Sequence, residues 1–299
     1  MTTPVETRQL TKRYGSLTAV DALDLEVRPG EVYGFLGPNG AGKTTTLRML
    51  LGLIRPTSGT VRLFGVAPRH RGHLSRVGAL VEGPAFYLYL SGRDNLRAMA
   101  PHARVGDDRI ALVLDQVDLT SRAGDRYATY SLGMKQRLGV AGALLKDPRL
   151  VVLDEPTNGL DPAGMADMRM LVKRLGAAGC TVLLSSHLMT EVQELCDRVG
   201  IISRGRLVAE STVAELRGER TLRIVCAPTE KAAAVAESLL GPNAVHVRDS
   251  GLDLDVPPAR AAEINAALVE AGIAVAELTV RERSLEQAFF DLTGEPAHV

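Results

Sequence analysis

The sequence predicts an α/β fold built on a mostly parallel sheet, followed by a small α+β unit. Continuous apolar stretches such as "VYGFL" and "LVVLD" are typical of strands buried on both faces, and helical segments separate them. A glycine-rich loop joins one of these strands directly to a helix. Near residues 211–220 the alternation of strands and helices stops, which indicates a boundary between two units.

The composition of the 299 residues is that of a globular protein with a sizeable core. Apolar residues make up 45% and charged residues 23%, which excludes a disordered chain. Lys plus Arg equals Asp plus Glu at 35 each, so we expect no nucleic-acid partner. The three scattered cysteines fit neither a disulfide framework nor a zinc site. Since no apolar stretch is long enough to cross a bilayer, a membrane role would need a partner.

The first unit, residues 1–215, contains three kinds of element. Leu23, Leu25 and Val27 alternate with acids and predict an N-terminal strand of antiparallel type, with one wet face. Between about residues 84 and 146 the apolar period is helical, which predicts a helical subdomain whose first helix is capped by Ser91. The parallel-sheet pattern includes the strand 32–36 before that subdomain and, after it, strand 150–155, the helix after Pro162, strand 180–186, helix 189–198 and strand 199–203.

The second unit, residues 216–299, is predicted to be a small α+β accessory or regulatory domain. Its pattern indicates a βαββαβ arrangement followed by one more helix. The predicted segments are strand 221–226, helix 230–240, strands 245–248 and 252–256, helix 259–271, strand 273–280 and helix 284–294.

A phosphate-binding loop follows the strand 32–36. The residues Gly37-Pro38-Asn39-Gly40-Ala41-Gly42-Lys43-Thr44 fit the pattern G-x-x-x-x-G-K-[ST] between a strand and a helix, which predicts a P-loop NTPase core. Glycines allow successive backbone N–H groups to surround a β-phosphate. Lys43 reaches the β- and γ-oxygens, and the Thr44 hydroxyl is a ligand for Mg²⁺.

Two carboxylates end the buried strand 150–155. Because neighbouring residues of a strand point to opposite sides, Asp154 and Glu155 are expected to have different roles. Asp154 suits the Mg²⁺ shell, and Glu155 suits a general base that polarises the attacking water. His187 follows the strand 180–186 and is a candidate γ-phosphate contact.

A second open helix start lies at "YSLGMKQRL", residues 130–138. Ser131 is a plausible N-cap, and Gly133 leaves the backbone bare in the first turn. Such a helix start presents N–H groups and partial positive charge to an anion. The residues alone leave open whether this anion is bound by the same chain or by another copy.

These motifs, in this order, resemble those of the ATP-binding subunit of an ABC transporter over about the first 210 residues. Tyr14 matches the family's adenine-stacking aromatic residue, and Tyr130-Ser131-Leu132-Gly133-Met134 takes the place of its signature Leu-Ser-Gly-Gly-Gln. Residues 158–161, Asn-Gly-Leu-Asp, match the loop after the acidic strand end. The resemblance gives as cofactor-binding residues Tyr14, Val20, Gly37, Pro38, Asn39, Gly40, Ala41, Gly42, Lys43, Thr44, Thr45, Ser131, Gly133 and Asp161.

The resemblance also implies a mechanism in which two subunits meet head to tail around two ATP–Mg²⁺. Each signature helix then points at the γ-phosphate held by the other subunit, so a homodimer is expected. Glu82 stands where the family usually has glutamine near the metal and the attacking water. The implied metal ligands are Thr44, Glu82 and Asp154, and the implied catalytic residues are Glu82, Glu155 and His187.

A partner surface is indicated by Phe86, Tyr87 and Tyr89, because aromatic residues are scarce elsewhere and are enriched in interface cores. The resemblance implies that a membrane permease docks there, on the cytoplasmic face of the membrane, and that the complex exports a drug, antibiotic or lipid. A local core beneath the helical subdomain is the alternative for these aromatics. A soluble ABC-type ATPase acting on nucleic acid or ribosomes is the alternative function, although this chain lacks the long insertions or tandem ATPase cores of such relatives.

Overall fold

The computed structural model describes residues 2–68, 72–217, 221–248 and 251–281, which fall into two compact units, Met1–Ser211 and Thr212–Val299. The boundary predicted from sequence, between residues 215 and 216, lies instead inside a short helix, α7 (Val213–Arg217). Thr212 starts this helix with a reciprocal capping pair, in which Glu215 N donates to Thr212 Oγ1 at 3.1 Å and Thr212 N donates to Glu215 Oε2 at 2.9 Å. The helix predicted at 284–294 lies outside the described residues.

The described residues of the first unit form two sheets. An antiparallel sheet has the strand order β2-β1-β4, and a six-stranded sheet has the order β5-β6-β7-β3-β8-β9, in which the first five strands are parallel. The strands are β1 (Val5–Tyr14), β2 (Leu17–Val27), β3 (Val32–Leu36), β4 (Ser58–Leu63), β5 (Val77–Leu80), β6 (Leu150–Asp154), β7 (Thr181–Ser186), β8 (Arg198–Ser203) and β9 (Arg206–Thr212). The helices are α1 (Lys43–Leu50), α2 (Gly92–Ala103), α3 (Asp107–Gln116), α4 (Leu132–Leu144), α5 (Pro162–Ala177) and α6 (Met189–Leu195).

Strand β1 was not predicted, because its residues do not alternate regularly between buried and exposed. Its pairing with β2 shifts register between Thr7 and Leu10, and Gln9 adopts a positive φ of 49°. A bulge of this kind changes which side chains face the core, so the period of two is interrupted in the middle of the strand. The Asp24 carboxylate stabilises the bulge by accepting from Gln9 N and Gln9 Nε2, each at 2.6 Å.

The main core of the first unit connects both sheets to α1. Fully buried Tyr33 and Phe35 of β3 pack in one cluster with Leu47 and Leu50 of α1 and with apolar side chains of β1, β2 and β4. Complete burial of each such side chain stabilises the fold by about 1.5–3 kcal/mol. This packing fixes the beginning of α1 at the carboxyl end of β3. The parallel strands β5, β6 and β7 end at the same edge of the sheet, where α/β proteins commonly bind ligands.

Helices α2, α3 and α4 form the predicted helical subdomain. Ser91 caps α2 as expected, because its hydroxyl accepts from Asp94 N at 3.0 Å. Helix α6 is shorter than predicted, since Cys196 is already extended and leads into β8. Among the described residues, no helix is both long and apolar enough to cross a membrane.

The second unit has its own sheet and core. Strands β10 (Thr221–Ala227), β11 (Val245–Arg248), β12 (Gly251–Leu254) and β13 (Ala274–Arg281) form an antiparallel sheet in the order β11-β12-β10-β13. Helices α8 (Thr229–Leu240) and α9 (Ala261–Glu270) join them in the predicted βαββαβ order. Leu222, Ile224 and Cys226 alternate inward and pack on Ala232 and Ala236 of α8.

Candidate active site

The phosphate-binding loop has a shape that only glycine permits at two of its positions. A Cβ atom on Gly37 would lie 2.3 Å from the Ile202 carbonyl oxygen, and one on Gly42, where φ is +107°, would lie 2.5 Å from the Ala19 carbonyl oxygen. Pro38, Asn39 and Gly40 form the exposed part of the loop. Ala41 and Gly42 then turn the chain into α1.

Neighbouring elements hold this loop through backbone hydrogen bonds. Gly37 N donates to the Ser186 carbonyl at the end of β7, at 3.3 Å. Gly205 N, in the turn between β8 and β9, donates to the Ala41 carbonyl at 3.0 Å. The loop is therefore shaped within the chain, and its N–H groups together with the N-terminus of α1 form a preorganised site for phosphate.

Lys43 is 5% exposed, and its ammonium group lies inside the loop. Its Nζ donates to the carbonyl oxygens of Gly37 at 2.7 Å and Pro38 at 3.2 Å, and it lies 3.1 Å from Glu155 Oε1. These contacts keep a buried positive charge paired and fix it beside the loop. The phosphate contact of Lys43 stays a prediction, and the structure shows its ammonium group at the loop.

Asp154 is held by two hydroxyl groups. Thr44 Oγ1 donates to Asp154 Oδ2 at 2.8 Å, and Ser185 Oγ donates to Asp154 Oδ1 at 2.5 Å. The sequence predicted that Thr44 and Asp154 both serve the Mg²⁺ shell, and the structure brings their side chains together and adds Ser185. The group presents hard oxygen donors of the kind that Mg²⁺ prefers.

Glu155 contacts different partners from Asp154, but strand alternation is not the reason. Strand β6 ends at Asp154, and Glu155 adopts a left-handed conformation with φ +48°. Such a conformation is uncommon outside glycine and is typical of functional sites. Its Oε1 lies 3.1 Å from Lys43 Nζ, and its Oε2 lies 2.6 Å from Nδ1 of His187. The chain therefore brings together the predicted base Glu155, the candidate γ-phosphate contact His187 and the loop residue Lys43.

Two serines that sequence reasoning missed organise this edge of the sheet. Ser185 Oγ donates to Asp154 and also accepts from Glu155 N at 3.1 Å. Ser186 connects Gly37 to the chain segment that carries His187. Both serines are completely buried at the end of an otherwise apolar strand, and two hydroxyls in that position were the available sequence signal.

The signature segment begins α4 as predicted. The Ser131 hydroxyl accepts from Met134 N at 3.2 Å, while Ser131 itself is exposed. A Cβ atom on Gly133 would have its nearest described neighbours at 3.8 Å, the Gly164 Cα, and at 4.0 Å, a methyl group of Leu160. The backbone of this helix tip is thus uncrowded. Within the chain, its neighbours are the loop 158–161 and the start of α5.

Leu132 lies at this tip and is 47% exposed. One of its methyl groups would lie 3.2 Å from a Cβ atom added to Gly159. Asp161, predicted to contact nucleotide, caps α5 by accepting from Gly164 N at 3.0 Å. Leu132 stands where the family signature has its first glycine, and its side chain packs beside Gly159.

The two N-terminal candidates occupy different environments. Tyr14 is 47% exposed at the end of β1, with the Lys12 ammonium 4.9 Å above its ring. Val20 is fully buried, and its methyl group lies 3.3 Å from the Cβ position of Gly42. Val20 therefore packs behind the phosphate loop. Because its side chain is inaccessible, this placement is inconsistent with direct contact between Val20 and a nucleotide. Thr45 is half-buried in the first turn of α1.

Glu82 follows β5 in a left-handed conformation with φ +68°, and its carboxylate pairs with Arg48. Arg48 lies one turn after Thr44 on α1, so both residues are on one face of that helix. The guanidinium group therefore balances the charge of Glu82 within the chain, and the implied role of Glu82 at the metal stays a prediction. The carboxylate is directed to Arg48 rather than to Thr44 or Asp154.

Phe86 and Tyr87 line a groove of about 620 Å³ between the end of β5, α2 and α4, and Tyr89 follows them in the same loop. Phe86 packs edge-on against Tyr127 with ring centroids 5.3 Å apart, as the local-core alternative predicts. Tyr87 and Tyr89 are 56% and 71% exposed, as a docking surface requires. The buried Asn95 fixes the loop, accepting from Tyr87 N at 2.8 Å and donating to Tyr87 O at 3.0 Å.

Comparison with known proteins gives a consistent set of similarities. The ABC transporter family model matches residues 20–158. The bacitracin transport ATP-binding protein BcrA of Bacillus licheniformis is 41% identical over 98% of each chain. BcrA of Enterococcus faecalis is 37% identical over 97% of this chain and 96% of its own. The solved structure of an ATP-binding subunit of an ABC transporter, 28% identical, covers 72% of this chain and 92% of its own with a TM-score of 0.65.

Proposed function

This chain belongs to the ABC transporter ATP-binding family, and we propose that it hydrolyses ATP to drive antibiotic export through a separate membrane permease. The observation that carries this proposal is the similarity to bacitracin transport proteins over nearly the entire chain, including the second unit. The balanced charge argues against the alternative of an ATPase acting on nucleic acid.

The proposed chemistry follows from the contacts of the acidic strand end. Glu155 accepts a proton from the water that attacks the γ-phosphate. His187, whose Nδ1 lies 2.6 Å from Glu155 Oε2, orients this carboxylate. Lys43 and the loop N–H groups neutralise phosphate charge. Thr44 and Asp154 fit Mg²⁺, because their oxygens already lie 2.8 Å apart. When bound, Mg²⁺ would balance negative charge on the phosphate oxygens.

The active form is proposed to be a two-fold dimer. The exposed Ser131 and the uncrowded backbone of Gly133 are suited to a phosphate supplied by a second copy. Each copy has both a phosphate loop and a helix tip, so a two-fold arrangement completes two equivalent sites.

The groove beside Tyr87 and Tyr89 is the proposed permease contact, which would hold the chain at the cytoplasmic face of the membrane. Exposed tyrosines are typical of interface anchors. Phe86 supports the groove from inside through Tyr127. Replacement of Tyr87 and Tyr89 by serine should remove binding to the permease while leaving ATP hydrolysis by the isolated chain intact. Leu53→Ser is a matched control, because Leu53 is an exposed apolar side chain (63%) that follows α1 and does not belong to the loop of Tyr87 and Tyr89.

The experiment is expression of the chain with its integral membrane partner in a host sensitive to peptide antibiotics. We expect the wild type to raise the inhibitory concentration, and the Tyr87→Ser/Tyr89→Ser variant to lose both resistance and co-purification with the membrane protein. Unchanged sensitivity in the presence of a correctly assembled, ATP-hydrolysing complex would contradict antibiotic export. Retained co-purification of the double variant would contradict the proposed docking surface alone.

A further inference from the structure

A buried carboxylate outside the proposed catalytic set lies behind His187. Glu191, on α6, is 2% exposed. Its Oε2 accepts from Ser186 Oγ at 2.7 Å, whereas its Oε1 is buried and has no hydrogen-bond partner among the described residues. Burial of a carboxylate with so few partners is costly, so a polar residue in this position needs an explanation beyond packing.

The contacts of Ser186 connect Glu191 to both sides of the site. Ser186 is completely buried, and its Oγ donates to Glu191 while accepting from Leu188 N at 3.0 Å. Its carbonyl oxygen accepts from Gly37 N at 3.3 Å. The backbone on both sides of His187 is therefore fixed, and one of the fixed groups also holds the first glycine of the phosphate loop.

The chain of contacts ends at the proposed base. His187 lies between Ser186 and Leu188, and its Nδ1 lies 2.6 Å from Glu155 Oε2. An acceptor at Glu191 keeps the Ser186 hydroxyl in the orientation that leaves a lone pair for Leu188 N. Without that acceptor the hydroxyl is free to rotate, and the turn that positions the imidazole loses a constraint.

We propose that Glu191 is a positioning residue for ATP hydrolysis, acting through Ser186 to fix His187 against Glu155. The inference rests on the proposed role of His187. It requires the hydrogen-bond acceptor of Glu191 rather than its negative charge, because the contact with Ser186 is a hydroxyl-to-oxygen hydrogen bond.

The first test separates positioning from nucleotide binding. Glu191→Ala should lower kcat by about tenfold to a hundredfold, as expected for a displaced catalytic group, with little change in the affinity for a fluorescent ATP analogue. Glu191→Gln retains a carbonyl acceptor and should recover most of kcat. Glu194→Ala is the matched control, because Glu194 lies on the same helix and its carboxylate pairs with Arg169 rather than with Ser186.

The second test asks whether Glu191 acts through His187. In a His187→Ala background, Glu191→Ala should cause no further loss of kcat, whereas independent effects would multiply. Ser186→Ala should reproduce the loss of kcat seen with Glu191→Ala, and this variant serves if the alanine substitution at Glu191 fails to fold.

Three results would overturn the proposal: a wild-type kcat for Glu191→Ala, a Glu191→Gln variant as slow as Glu191→Ala, or multiplying losses in the His187→Ala background. If His187→Ala itself has a wild-type kcat, the proposed role of His187 fails and the inference fails with it. If His187→Ala is slow and Glu191→Ala is not, the inference alone fails.

Discussion

Helices α1 and α4 both begin with a glycine-containing turn suited to an anion, yet their surroundings differ. The start of α1 is enclosed by β6, β7 and the turn after β8, and Lys43 within it is nearly inaccessible. The start of α4 is exposed at Ser131, and Gly133 has room around it. The start of α1 is shaped by neighbouring elements of the same chain, whereas the start of α4 is exposed, as the proposed dimer requires.

Gly42 at the start of α1 and Gly133 at the start of α4 are constrained by the fold to different degrees. Gly42 is required by the fold itself, since φ is +107° and a Cβ atom would collide with the Ala19 carbonyl. Gly133 has ordinary helical surroundings in which a Cβ atom is tolerated. If Gly133 is needed for activity, the requirement therefore comes from what approaches the tip and not from the chain's own packing.

The largest expected effect is on the chemistry at the α1 site. Glu155→Gln should slow ATP hydrolysis by about 10²–10⁴-fold, because a positioned general base contributes that much to the rate. The amide retains a group of the same size, so the ATP-bound dimer should persist and be detectable by light scattering. Glu194→Gln, on the surface of α6, is the control. Normal turnover by Glu155→Gln would remove Glu155 from the role of base.

A mixing experiment tests whether the α4 tip acts on the partner's nucleotide. Gly133→Asp adds a negative charge facing phosphate and should reduce hydrolysis by on the order of a hundredfold, although Asp in a first helical turn suits the helix dipole. Lys43→Ala should inactivate the phosphate loop. In a mixture of the two variants, each heterodimer has one composite site with both halves intact, so about a quarter of the wild-type activity should return.

Failure of the mixture to regain activity, when heterodimers are demonstrably present, would contradict a tip acting across the dimer. A fully active monomer of Gly133→Asp would contradict any role for the tip. The starts of α1 and α4 would then differ in exposure but not in the molecule that supplies their phosphate.

The smallest expected effect concerns stability. Gly42→Ala should lower the free energy of unfolding by about 1–3 kcal/mol, the usual cost of a strained backbone conformation. Gly133→Ala should leave it unchanged or raise it by up to about 1 kcal/mol, since Ala favours helix over Gly. Thermal and denaturant unfolding of the chain without nucleotide measures both. Equal destabilisation by the two substitutions would remove the distinction between them.

The sequence alone determined the type of fold and the positions of the phosphate loop, the acidic strand end and the cap of α4. The phosphate loop, Asp154 and the α4 cap are local patterns, in which spacing of a few residues fixes the chemistry. The βαββαβ order of the second unit was also predicted from the sequence pattern, and β10 shows the alternation of buried and half-buried residues most clearly. Strand β1 was missed because its bulge at Gln9 breaks that period.

Tertiary structure decided the features that depend on residues distant in sequence. The pairing of Glu82 with Arg48, the burial of Val20 behind Gly42 and the contact of Glu191 with Ser186 follow from how strands are ordered in the sheet. The left-handed turn at Glu155, rather than strand alternation, separates the two carboxylates. Local patterns specify which groups a segment carries, whereas the direction and the partner of each group are set by the packing of segments far apart in the chain.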